Sequence, residues 1–119
     1  MTASGVPLAE DALLGAITDA MVAMHERYYG RSPRTAKTRR MGDDLLACTL
    51  GGVYTDVEKT LIELERAPVV RQNREAFQAA MAPRVVEAVE RLSGRRVVNY
   101  ITDHHVGPDL AIELFFLSD

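Results

Sequence analysis

The sequence predicts an α+β fold, a four-stranded antiparallel sheet built from two hairpins with helices packed on one face, in the order αββααββ. Three observations carry this reading. An apolar stripe at helical spacing opens the chain, two alternating segments around a tight turn follow it, and the helix-then-hairpin order recurs to the last residues. The two halves share no sequence repeat, so the recurrence is one of pattern alone.

The first helix is expected from Pro7, with Glu10 and Asp11 at its positive N-terminal end. Leu13, Ile17, Met21, Met24 and Tyr28 follow at spacings of four, four, three and four, the stripe of a helix buried along one side. Gly30 supplies a left-handed cap and Pro33 stops the helix from resuming. Residues 34–41 and 44–51 read as strands around Gly42–Asp43, with Leu46, Cys48 and Leu50 alternating onto one face. Gly51–Gly52 breaks the second strand. Thr55 and Glu58 then form the capping-box pattern before Val57, Leu61 and Leu64, which predicts a short helix.

Pro68 is suited to open a longer helix carrying Val70, Phe77, Met81, Val85, Val89 and Leu92 as its stripe, with Gly94 at its end. Pro83 removes one hydrogen bond inside it at a cost of roughly 3 kcal/mol, which predicts a kink or two abutting helices. The last hairpin pairs Val97–Thr102 with Leu110–Leu117 around Val106-Gly107-Pro108-Asp109. In its second strand Leu110, Ile112, Leu114 and Phe116 are assigned to the core, and Phe115 and Leu117 to the opposite face beside Glu113. That second face is too apolar for water, so either helices reach around to it or a second copy of the chain covers it, and the second copy is the expectation taken forward.

Composition narrows the function classes. A chain of 119 residues with 47% apolar and 26% charged residues has the size and make-up of one globular domain, with residues 1–6 expected as a flexible leader and 7–119 as the domain. Acidic residues outnumber basic ones by 17 to 14, which disfavours a surface built to hold a polyanion. The single cysteine, Cys48, closes no intramolecular disulfide and fits a reducing compartment. No apolar run approaches the roughly 18 residues that span a bilayer, and the N-terminal segment lacks the basic-then-apolar order of a secretion signal.

The most pronounced charge cluster is Arg27, Arg31, Arg34, Lys37, Arg39 and Arg40, with Tyr28 and Tyr29 beside it. Guanidinium forks match phosphate oxygens and tyrosines stack on bases, so a local anion site or a nucleotide-binding surface is chemically available. Cations near a helix C-terminus and on an edge strand also have purely structural uses, and that reading weighs more. Asp103, His104, His105 and Asp109 sit at the tip of the last hairpin and offer metal-ligating or proton-transfer groups. Adjacent histidines on a strand point to opposite faces, so at most one of them shares a side with Asp103. A closed zinc site needs four ligands, and His25 and Cys48 show no metal-binding spacing to them, which favours a solvated turn. Cys48, at a core-facing position, reads as a buried hydrophobe. Dinucleotide, P-loop, nucleophile-elbow and HExxH motifs are absent from the sequence.

The run Tyr29-Gly30-Arg31-Ser32-Pro33, then Asp44-Leu45-Leu46 leading to Leu50-Gly51-Gly52-Val53-Tyr54-Thr55 with Glu58, resembles the MpsC-like family. Gly94-Arg95-Arg96-Val97-Val98, the Asp103 hairpin and the terminal Phe116-Leu117 extend the resemblance over nearly the whole chain. Members often read G-R-G-P where Gly30-Arg31-Ser32-Pro33 stands here, a change that leaves the turn intact. The family is named for a sodium-translocating membrane potential-generating system. The resemblance implies a cytoplasmic accessory protein beside membrane-bound ion or inorganic-carbon transport components, and it brings no catalytic residues with it.

The expectation is therefore a non-enzymatic accessory or binding protein without cofactor or metal, cytoplasmic and peripheral to the inner face of the membrane. Its expected partners are a second copy, a membrane-transport protein and a small anion. Arg31, Arg34, Lys37 and Arg39 are assigned to anion or partner binding, and Phe115 and Leu117 to the dimer interface. Two rival readings are a nucleotide or nucleic-acid module using the Arg27–Arg40 cluster and a metal-dependent enzyme around Asp103 and His105.

Overall fold

In the computed structural model, which describes residues 9–119, helix α1 (Glu10–Tyr29) buries Leu13, Ile17, Met21 and His25. The expected leader and Pro7 lie outside the described residues. The stripe keeps its spacing of four to the end, so His25 takes the buried place and Met24 and Tyr28 lie at its margin. Gly30 ends the helix in the left-handed conformation, φ 77°, and its N–H bonds the Glu26 carbonyl at 3.1 Å.

Strands β1 (Thr35–Arg40) and β2 (Leu45–Gly51) form the first hairpin, and β3 (Val97–His105) and β4 (Leu110–Leu117) the second. All four join one antiparallel sheet in the order β1-β2-β4-β3, so the last strand is interior and β1 and β3 are the edges. Between the hairpins lie α2 (Asp56–Glu63) and α3 (Ala67–Ser93). Thr55 caps α2 with both bonds of the capping box: its side chain accepts from the Glu58 N–H, and Glu58 accepts from the Thr55 N–H. The apolar positions read for this helix divide. Leu61 packs on the core, whereas Val57 and Leu64 are 71% and 66% exposed, because the short helix leans on Leu61 and Ile62 only.

Helix α3 runs unbroken through Pro83, so the expected division into two helices is corrected. Buried Val70 and Arg74 before the proline, and Val85, Ala88 and Val89 after it, fasten both halves to the same layer, and those contacts offset the missing backbone bond.

The helices cover one face of the sheet. Ile17 and Met21 of α1 meet Leu46, Cys48 and Leu50 of β2, Val85 and Val89 of α3, and Phe115 of β4 in a single apolar cluster. Full burial of one such side chain contributes about 1.5–3 kcal/mol. Cys48 lies in this cluster as read, and burial pushes its thiol up to about 11. The facing of β4 is the reverse of the expectation. Ala111, Glu113, Phe115 and Leu117 are the buried set, and Leu110, Ile112, Leu114 and Phe116 face away from the helices. Register decides this: Leu46 of β2 pairs with Phe115, which places both on the helix side. Phe115 and Leu117 are therefore core residues, and the interface role assigned to them is corrected.

Candidate functional site

The cations of the basic cluster are dispersed by the fold. Arg31 Nη1 donates to the Tyr54 carbonyl at 2.8 Å, and the Arg34 N–H donates to the Gly51 carbonyl at 2.8 Å. The Arg34 stem lies so close over Gly52 that a Cβ there would stand 2.5 Å from its Cγ and Cδ, and Gly52 has φ 65°. Both arginines thus brace the loop between β2 and α2. Arg40 pairs with Glu10 at 2.5 Å and donates to the Asp43 carbonyl, and the Arg27 guanidinium sits 5.4 Å above the Tyr28 ring. Lys37 and Arg39 alternate onto the helix-free face of β1 and form no ion pair among the described residues. The four residues assigned to one anion site therefore occupy two places.

The tip of the second hairpin is likewise divided. His104 is buried on the helix side, while Asp103 and His105 hold exposed positions on the other set. Asp109 accepts from the Val53 and Tyr54 N–H groups at 2.8 and 3.3 Å, and the Tyr54 hydroxyl donates to the His105 carbonyl at 3.0 Å. That carboxylate ties the hairpin tip to the loop after β2. Among the described residues no three His, Cys, Asp or Glu side chains come together as a metal site. A hollow of about 610 Å³ opens between α3 and β3, lined by Arg71, Glu75, Gln78, Tyr100, Thr102 and Asp103 among others.

Sequence reasoning missed two buried polar centres. Arg74, 1% exposed, donates from Nε and Nη2 to Glu58 at 2.7 and 2.6 Å and from Nη2 to the Val53 carbonyl at 2.8 Å. Its guanidinium lies 3.8 Å over the Tyr29 ring and 5.1 Å from that of Tyr54. Burial alone pushes the Glu58 carboxyl up, but bonds from Arg74 and Thr55 with the Arg74 charge outweigh it and hold the group below its ordinary value. His25 and His104 are both lowered to about 4, first by burial and then by Arg74. Both imidazoles are thus neutral near pH 7. His25 Nε2, Tyr29 Oη, Arg74 Nη1 and His104 Nε2 have no hydrogen-bond partner among the described residues.

The second centre is Glu113, which accepts from Thr102 Oγ1 at 2.5 Å and bonds the Tyr100 hydroxyl. Burial pushes its carboxyl up, and no cation compensates. Tyr100 also reaches Gln78 Oε1 at 3.2 Å, and its one proton cannot serve both acceptors. The available signal was positional: Arg74 stands four residues after Val70, His25 four after Met21, and Glu113 two before Phe115. Burial keeps the two histidines neutral and pushes Tyr29, Tyr54 and Tyr100 up, away from ionisation.

What remains open is the outer face of the sheet. Leu45, Ala47, Ile112, Leu114 and Phe116, each half-buried, occupy its middle, and Ile101 on β3 is 45% exposed. Every helix with sheet contacts lies on the opposite side, so this apolar surface has no cover from the described chain. Lys37 and Arg39 border it on β1 and Asp103 on β3.

Among the described residues no helix is long and apolar enough to cross a membrane. The chain matches no curated protein and no solved structure. The family described as Na+-translocating membrane potential-generating system (MpsC) matches residues 10–119, all but the first nine positions. With that match spanning every element of the fold, the chain belongs to the MpsC family.

Proposed function

We propose that this chain is a non-catalytic accessory subunit of a Na+-translocating membrane potential-generating system, and that it works by self-association through the outer face of its sheet. Family membership supports the system. The observation that carries the mode of action is the half-buried row Leu110, Ile112, Leu114 and Phe116 on the helix-free face, a strand set as apolar as the core set behind it. An antiparallel sheet with one face in water is expected to carry polar residues there, and such a patch marks a contact surface. The interior polar centres favour a structural rather than a catalytic reading, since their groups are neutralised by burial or by one another.

Light scattering coupled to size exclusion tests the proposal. The wild-type protein is expected to run as a dimer at micromolar concentration, and Leu114→Lys as a monomer with nearly unchanged thermal stability. A wild-type protein that stays monomeric overturns the reading.

A further inference from the structure

We infer that the second copy docks with its two-fold axis running along the strands, so that Lys37 at the β1 edge of one sheet lies over Asp103 at the β3 edge of the other. The inference rests on the proposed self-association and specifies its geometry. Backbone register lines up outward residues in rungs across all four strands. One rung is Lys37, Thr49, Ile112 and Asp103; the next is Arg39, Ala47, Leu114 and Ile101. A cation therefore stands at the β1 end of these two rungs, and Asp103 stands at the β3 end of the first.

Two face-to-face arrangements keep two-fold symmetry with the strands aligned. An axis across the strands lays β1 on β1 and β4 on β4. Lys37 and Arg39 then meet their own copies, and the large β4 residues collide while the small ones on β2 face each other over a gap. An axis along the strands exchanges the two edges and keeps each rung opposite itself. Lys37 then faces the partner's Asp103, and the Arg39 stem covers the partner's Ile101.

Side-chain volume chooses the same axis. β2 presents Ala47, Thr49 and Gly51 outward, and β4 presents Leu114, Ile112 and Leu110 in the same rungs, while the end rung carries two large residues, Leu45 and Phe116. Exchanging β2 with β4 sets small against large at every level but that end rung, the alternation that lets two layers interdigitate. Four strands about 4.8 Å apart and about seven residues long present roughly 450 Å² of projected area per copy. Side-chain relief raises the accessible area buried by both copies above the ~1,000 Å² expected of a specific contact.

The geometry is read out by cross-linking with a bis-maleimide matched to the ~10 Å between stacked sheets. Cys48 is buried and serves as the silent background. Lys37→Cys combined with Asp103→Cys is expected to give cross-linked dimer, and each single variant little or none. Cross-linking by Lys37→Cys alone would show β1 over β1, and by Asp103→Cys alone would show β3 edges side by side; either overturns the inferred axis. In parallel, Asp103→Lys is expected to weaken the dimer roughly tenfold and the exchange Lys37→Asp with Asp103→Lys to restore it. A dimer by light scattering that fails both tests overturns the axis alone, whereas a wild-type monomer removes the self-association beneath it.

Discussion

Arg74 is a cation at a core position, and its energetics follow from what surrounds it. Removing one member of a buried ion pair strands the other, at a cost of about 3–5 kcal/mol. Arg74→Met is therefore expected to lower unfolding stability by that amount, and adding Glu58→Gln to recover part of it, because the amide keeps its bond to the Thr55 N–H without a charge. Additive losses in a denaturant double-mutant cycle would contradict the coupling. His25 and His104 make stability depend on acidity. The unfolded chain takes up their protons near pH 6.5 and the folded chain near 4, so stability is complete above 6.5 and declines toward 4. Each histidine accounts for up to about 3 kcal/mol of this loss. Glu113 acts with the opposite sign: its raised value opposes folding at neutral pH, and that opposition fades as pH falls toward 4.5. His104→Gln should flatten the fall in denaturation midpoint between pH 6.5 and 4, and an unchanged slope would contradict the assignment.

Among the elements, α2 is the one with no buried residue, so its ends must hold it. The Thr55–Glu58 box and the Arg74 bond to Glu58 fasten its first turn, and Leu61 and Ile62 supply its only contacts with the core. Thr55→Ala is expected to cost about 1 kcal/mol and to raise amide exchange at Lys59 and Thr60 far more than within α3. Uniform protection across both helices would show that the cap is dispensable. The box was legible in the sequence because its two residues are fixed at a spacing of three, and the helix ends at Gly30 and Gly94 were legible because a left-handed cap calls for glycine. Pro83 does not divide the helix, because the local rule that prices the lost hydrogen bond does not see the tertiary contacts on either side. Arg74, His25 and Glu113 were passed over for a related reason. Polar residues at core spacing read as surface until a partner from a distant element is known.

For the molecule as a whole, alternation divides β4 into two sets of side chains but does not say which set the helices cover. Both sets are apolar, so the hydrophobic pattern carries no sign. On β2 the sign is clear from Leu46, Cys48 and Leu50, and it reaches β4 only through the pairing of Leu46 with Phe115 across a junction that joins the two hairpins. That junction is long-range information, and it turns the expected interface residues into core and the expected core residues into outer surface. The two faces should therefore respond differently to damage. Phe115 is fully buried and stacks on Tyr100 with ring centroids 5.1 Å apart, so Phe115→Ala is expected to cost about 3–5 kcal/mol in unfolding while the folded fraction still associates. Ile112, two strand positions from Leu114 on the outer face, has no helix above it. Ile112→Asp should leave the denaturation midpoint of the monomer within about 1 kcal/mol of wild type and abolish association, because it places a charge against the partner's apolar surface. Chemical denaturation and light scattering on the same two variants decide it, and an Ile112→Asp protein that unfolds as readily as Phe115→Ala would reverse the facing of the strand once more.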